Sequence, residues 1–413
     1  MASVGLLQNR DFVLLWGGQV VSTLGSMASH VIYPLLILAL TDSPAAAGIA
    51  GALRFLPYLV FSLPVGALID RWDRKRVMVL SDLGRAAAVA SIPIAIAFDA
   101  LTVGHVYAVC FVEGTLFVFF NIAEVAALPR VVPRAQLPEA TAYNEAGFGV
   151  AHIVGPSLGT VLYQAFGRAV PFLVDAITYL LSLAALLAIK ATFQADVVSA
   201  RADLRAEIAQ GLRWLWSKPL IRFMAFVTGG INVLNAAMPL VMIVLAKELG
   251  ANDAQIGLVF SIAGVGGVLG SLVGGRMQRR FTFGQVISAT MWIAAVSFLL
   301  FVASPGYVWL GIFAAIYFFV GPIYNVVQFS YRVALIPDEL QGRVNSVFRL
   351  VAFGFMPLGA ALAGVAIEAL GVRMTIVLFA AAFFALAALT TFNRSVRNAP
   401  SIEQAISVAS STR

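Results

Sequence analysis

Long apolar stretches broken by short polar gaps run the length of the chain. The stretches fall at roughly 12–40, 48–69, 77–98, 103–127, 139–165, 169–190, 219–247, 254–275, 284–303, 307–333, 343–368 and 372–392. A helix needs about 20 apolar residues to cross a bilayer's hydrocarbon core. Each run therefore predicts one spanning helix, twelve in all. Several contain Gly or Pro, which would break a soluble helix. In lipid the backbone has no water to turn to, so helix persists and these residues mark close packing or kinks. The runs are too long and too continuous for the alternating strands of a barrel. One gap, 191–218, has a different pattern. Leu204, Ile208, Leu212 and Leu215 recur at helical spacing beside Trp214 and Trp216, which predicts a short amphipathic helix on the inner membrane surface.

Composition agrees. Of 413 residues, 61% are hydrophobic and 11% charged, where soluble domains carry about a quarter charged. The net charge of +7 does not indicate nucleic acid, because Lys and Arg lie in gaps between apolar runs. A single cysteine, Cys110, excludes an internal disulfide. The polar start before the first run is short and that run is long, which predicts a retained anchor and no cleavable signal. With only His30, His105 and His152, and no phosphate-binding loop or nucleophile–base constellation, the chain predicts no enzyme, no cofactor, no metal and no direct use of ATP.

Loop charge sets orientation. Alternate gaps are basic: Arg71, Arg74, Lys75 and Arg76; Arg130 and Arg134; Arg201, Arg205, Arg213 and Lys218; Arg276, Arg279 and Arg280; Arg343. The others carry little positive charge. Both termini are therefore expected in the cytoplasm, the second with Arg394 and Arg397, in a bacterial inner membrane.

The chain also repeats. Gly66 opens GALIDRWDRKR and Gly270 opens GSLVGGRMQRR; Pro133 and Pro337, then Gly167 and Gly371, share the same offset of 204. The expected organisation is a six-helix half over 1–190, a linker over 191–218, a second half over 219–393 and a tail over 394–413. Parallel duplicated halves are the plan of rocking transporters with a site at the midplane.

At this point the chain resembles the major facilitator superfamily. The superfamily's loop motif is met by Gly66, Asp70, Arg71, Arg74, Lys75 and Arg76, with Asp73 in place of its second Gly. The resemblance implies an all-α membrane fold of twelve helices and a cytoplasmic latch at Gly66, Asp70, Arg71, Arg74 and Arg76. AHIVGPSLGT, 151–160, is similar to the superfamily's antiporter motif at Gly155, Pro156 and Gly159, with Ala151 and Thr160 replacing glycines. NRDFVLLWGGQVVSTLG, GLRWLWSKPLIR and IPDELQGRV resemble the branch that holds the enterobactin exporter and macrolide efflux pumps. Span one departs from it, with Ser26 and His30 where that branch often has an Asp and an Arg.

Ionisable groups inside the bilayer cost about 2.5–3.5 kcal/mol each and face the bundle interior. Span four places Glu113, Phe117, Asn121 and Glu124 on one face. Glu113, nearest the centre, reads as a proton-coupling carboxylate, or as a structural or substrate-contacting one. Glu145 and His152 share a face of span five: either a proton relay, or a boundary carboxylate that pairs with Arg130 or Arg134. His30 is a further coupling candidate. Asp175, in span six, reads as structural. Arg54 either meets an anionic group on a substrate or pairs with a carboxylate, and Arg349 has the same two readings. Asn232, Asn235, Tyr317, Tyr324, Gln328 and Tyr331 read either as cavity lining or as hydrogen bonds between helices, with Tyr58, Phe55, Phe117 and Met238 as apolar walls.

The expected function is secondary active export, coupled to protons, of a siderophore or an amphipathic drug-like molecule by a monomer that alternates access. An importer or facilitator of a small polar solute is the alternative on the same fold.

Overall fold

The computed structural model describes residues 5–69, 71–194, 204–337 and 340–399, and every regular element among them is helical. In chain order the helices are α1 (Arg10–Thr41), α2 (Pro44–Ile69), α3 (Arg74–Ala97), α4 (Val103–Val131), α5 (Leu137–Phe166), α6 (Val170–Ala188), α7 (Leu204–Ser217) and α8 (Pro219–Glu248). Then follow α9 (Asp253–Arg280), α10 (Phe283–Leu300), α11 (Tyr307–Leu335), α12 (Gln341–Phe353), α13 (Met356–Leu370), α14 (Val372–Phe392) and α15 (Arg394–Arg397). Twelve spans are long and apolar enough to cross a membrane, with α12 and α13 together forming one of them. The chain divides into two compact units, Met1–Arg201 with Asn252–Gly257, and Ala202–Ala251 with Leu258–Arg413.

The run at 343–368 predicts one unbroken helix, but the helix stops at Phe353 and restarts at Met356. Pro357 explains the break: it has no N–H to give the carbonyl four residues back. Elsewhere capping residues start the spans. The Asn9 side chain accepts from the N–H groups of Asp11 and Phe12, and Asp73 accepts from Arg76. Asp73, where the loop motif has Gly, is thus the N-cap of α3.

In the first unit α1 lies against α5 and α6, α4 lies against α2 and α3, and α3 also meets α6. The α1–α5 crossing falls on the glycines of the GPSLG stretch. A Cβ on Gly155 would sit 3.2 Å from the Ala28 nitrogen, and one on Gly159 would overlap the Ala28 carbonyl. Here the antiporter-like motif is a point of backbone contact that only small residues allow.

The basic cluster after α2 is spent inside the same unit. Arg74 donates to the carbonyls of Ala126 (2.9 Å) and Phe193 (3.2 Å), and Lys75 donates to Ile189 (2.6 Å). These bonds tie the start of α3 to the end of α4 and to the chain after α6. Arg71 and Arg76 are exposed, and Arg76 lies 3.7 Å from Asp73. Gly66 faces open space. Asp70, the centre of the expected latch, lies outside the described residues.

In the second unit α8 packs on α13 and α14, and α10 on α11 and α14. The amphipathic helix α7 seats on α12. Its Leu215 is buried in a core with Phe283, Tyr331 and Phe348, while Leu212 and Trp216 face outward. Arg343 donates to Gln210 at 2.6 Å, and Arg222 lies over the Trp216 ring.

Candidate functional site: a charge cluster in the first unit

Glu113 is the centre of the site. A Cβ on its neighbour Gly114 would overlap the backbone carbonyl of Arg54, so α2 and α4 touch at this level. That close approach puts the Arg54 side chain beside the carboxylate. Its Nη2 donates to Oε1 and its Nη1 to Oε2, both at 3.0 Å, in a bidentate pair. Tyr33 of α1 donates to Oε2 at 2.8 Å, and Tyr179 of α6 donates to Oε1 at 3.0 Å. Two donors on each oxygen satisfy a carboxylate removed from bulk solvent. Glu113 itself is 1% exposed.

The cluster extends through the rings. Arg54 lies 5.6 Å from the Tyr33 centroid. On the other side of Tyr179, Arg85 of α3 stands 4.4 Å from that ring and 4.5 Å from Phe120. A cation over an aromatic face is stabilised by the ring quadrupole, more so when desolvated. Arg85 also pairs with Asp82, three residues back on α3, and both are buried. The Ser26 and Tyr179 hydroxyls are 2.8 Å apart, and Ser29 Oγ lies 2.5 Å from Asp175 Oδ2. Five helices thus converge on one set of ionic groups.

Of the residues singled out in the sequence, Glu113 and Arg54 meet. For Arg54 this is the carboxylate reading. Asp175, expected to be structural, is fully buried in the same cluster. Glu145 and His152 are exposed on α5 and join no part of it. Glu124 is buried farther along α4, and His30 is half-buried. Asn121 and Tyr58 are half-buried, and Phe117 is exposed. The sequence reading passed over Tyr33, Tyr179, Asp82 and Arg85. Asp82 and Arg85 carried a signal: opposite charges at i, i+3 inside an apolar run. The tyrosines carried none, because a hydroxyl's partner depends on which helices meet.

In the second unit the polar residues pair between helices. Tyr317 donates to Asn235, the Tyr324 and Thr228 hydroxyls lie 2.8 Å apart, and Asn232 donates to the Ala352 carbonyl at 2.8 Å. Tyr317, Tyr324 and Gln328 are buried. Arg332 lies 3.8 Å from the Phe348 ring centroid.

Chemically, the first unit's cluster is held together by paired charge. Buried ion pairs are stable only while both partners remain.

Three comparisons place the chain among known proteins. The transmembrane secretion effector family model matches residues 2–411. The multidrug efflux pump Tap of Mycolicibacterium fortuitum is 30% identical over 369 residues, 85% of this chain and 88% of Tap. Macrolide efflux protein A of Streptococcus pyogenes is 26% identical, over 88% and 90% of the two chains. Among solved structures, the nucleoside transporter NupG superposes with a TM-score of 0.74 at 12% identity, covering 94% of this chain and all of NupG. An inward-facing bacterial homologue of the lysosomal transporter Spinster gives 0.71 at 13%, covering 96% and 98%. At such identity these structures speak for the fold alone. The chain is a multi-pass membrane transport protein, and it belongs to the transmembrane secretion effector family of major facilitator efflux transporters.

Proposed function

We propose that this protein exports amphipathic, drug-like small molecules, with siderophores as a second cargo class, in exchange for protons. The bidentate Arg54–Glu113 pair is the observation that carries the coupling part of this reading. An ion pair with four donors on its carboxylate is held strongly only in one arrangement of α2 and α4, so proton binding and helix movement trade against each other. The cargo class rests on the relatives, which are named as multidrug and macrolide efflux proteins. In this reading the halves over 1–190 and 219–393 alternate access as a monomer in a bacterial inner membrane, with both termini in the cytoplasm. The exposed Phe117 and the half-buried Asn121, one turn apart on α4, are the proposed cargo contacts of the first half. Of the residues expected to form its cytoplasmic latch, Gly66, Asp70, Arg71 and Arg76 remain the proposed ones, since Arg74 is bonded within its own unit. Proton entry down its own gradient drives cargo outward against the cargo gradient, and the membrane potential adds about 2.3 kcal/mol per charge per 100 mV.

The test is the purified protein in liposomes with a trapped pH dye and an imposed proton gradient, challenged with macrolides, other amphipathic compounds and siderophores. Cargo-triggered proton flux that disappears in Glu113→Gln is the expected result. Binding without any proton flux would remove the coupling, and uptake of a small polar solute would favour a facilitator.

A further inference from the structure

The cluster holds three carboxyl groups, Glu113, Asp82 and Asp175, against two guanidiniums, Arg54 and Arg85, and all three carboxyl groups are buried. Glu113 has Arg54 and Asp82 has Arg85. Asp175 has no cation of its own. Taking an unpaired carboxylate out of water costs several kcal/mol even after relaxation.

The hydrogen bonds at Asp175 differ in kind from those at Glu113. Glu113 receives four donors, whereas Asp175 meets one hydroxyl, Ser29 Oγ at 2.5 Å from Oδ2. Its Oδ1 has no hydrogen-bond partner and faces the α1 backbone, where a Cβ on Gly25 would lie 3.0 Å away. The nearest hydroxyl on its own helix, Thr178, is spent on the Asp175 backbone carbonyl at 2.7 Å. Ser29 has one proton and two acceptors in reach, Asp175 Oδ2 and, at 3.1 Å, the Ser26 carbonyl. If Asp175 is ionised, Ser29 must turn to it, and the anion still has one donor where it needs several. If Asp175 carries a proton on Oδ2, it donates to Ser29 Oγ, Ser29 donates to the Ser26 carbonyl, and both hydroxyl protons are used.

Among the described residues the groups around Asp175 leave no other counter-charge. α1 presents Ser29 and Tyr33, α3 presents Arg85, which pairs with Asp82, α4 presents Glu113, α2 presents Arg54, and Tyr179 stands one turn along α6 itself. On α5, Glu139, Glu145 and His152 are exposed.

We propose that Asp175 is a proton-binding site of this cluster in this conformation: its carboxyl is the neutral acid donating to Ser29, while Glu113 keeps Arg54 as its partner. The balance is simple. One proton on Asp175 Oδ2 converts the cluster from three negative charges against two positive to two against two. Any role of this proton in cargo exchange rests on the antiporter reading above, but its residence on Asp175 does not. Asp175 then holds the proton for as long as Arg54 keeps Glu113 charged.

Infrared difference spectroscopy of the full-length protein in lipid, across a pH jump, tests this directly. A protonated-carboxyl C=O band at neutral pH, lost in Asp175→Asn and kept in Asp82→Asn and in Glu124→Gln, is expected. Asn is the neutral isostere of the acid, so this variant should fold. If it does not, Ser29→Ala keeps Asp175 and removes its partner, and the band should then shift. Absence of the band in the unmodified protein, its persistence in Asp175→Asn or its failure to shift in Ser29→Ala would each overturn the proposal. Proton flux in liposomes is read separately. The band without flux would sink the antiporter and spare the site; flux without the band would sink the site and spare the antiporter.

Discussion

The two units repeat one plan and differ in what they bury. At the offset of 204 that relates them, Glu113 corresponds to Tyr317, Arg54 to Leu258, Asp82 to Val286, Arg85 to Ala289, Asp175 to Phe379 and Tyr179 to Phe383. The contact survives the change of chemistry. Glu113 accepts a hydrogen bond from Tyr179 in the first unit, and in the second the rings of Tyr317 and Phe383 meet edge-on at 5.7 Å. One interior is solved by charge pairing and the other by aromatic packing, neutral hydrogen bonds and a buried cation, Arg332, over the Phe348 ring. Packing can hold helices in one place as well as ions can. Among the described residues the buried carboxylates, Asp82, Glu113, Glu124 and Asp175, all lie in the first unit.

The largest effect should come from breaking the pair. Arg54→Met leaves Glu113 buried and unpaired, a loss of about 3–5 kcal/mol, seen as a large drop in melting temperature in detergent. A near-wild-type melting temperature would mean that the charged interior does not carry the first unit. Next is Gly159→Val, which forces α1 and α5 apart. Overpacking of this kind costs about 1–3 kcal/mol, and cross-linking between cysteines placed on the two helices should slow. Tyr179→Phe removes one of four donors to a charged group and should cost about 1.5–3 kcal/mol at most, with Arg54 still in place. A double-mutant cycle with Ser26→Ala separates the Glu113 bond from the Ser26 bond. The smallest effect is expected from Tyr317→Phe, at the position equivalent to Glu113. Hydrogen bonds between membrane helices average about 0.6 kcal/mol, so its melting curve should nearly overlay the wild type. If Tyr317→Phe proved as costly as Arg54→Met, the contrast between the two interiors would collapse.

Much of this was legible before any coordinates. The spans could be read because lipid demands long apolar runs, and the crossing at Gly155 and Gly159 because close helices need small residues. Glu113 stood out because a carboxylate in an apolar run has to be satisfied. Arg54 could be flagged but not assigned, since it lies 59 residues away and its partner depends on the α2–α4 contact. Asp175 reads as scaffolding, because nothing in its local sequence says that Glu113 shares its pocket.

The amino-acid sequence alone therefore determined the class of solvent, the number of spans, the duplication and the list of costly groups, because each follows from local composition or spacing. Tertiary structure decided which of those groups meet. It gave Glu113 four donors and Asp175 one, spent Arg74 and Lys75 inside their own unit, and broke the eleventh span ahead of Pro357. The reason is that the energy of a buried charge depends on what surrounds it at a few ångströms, and those neighbours come from helices far apart in the chain.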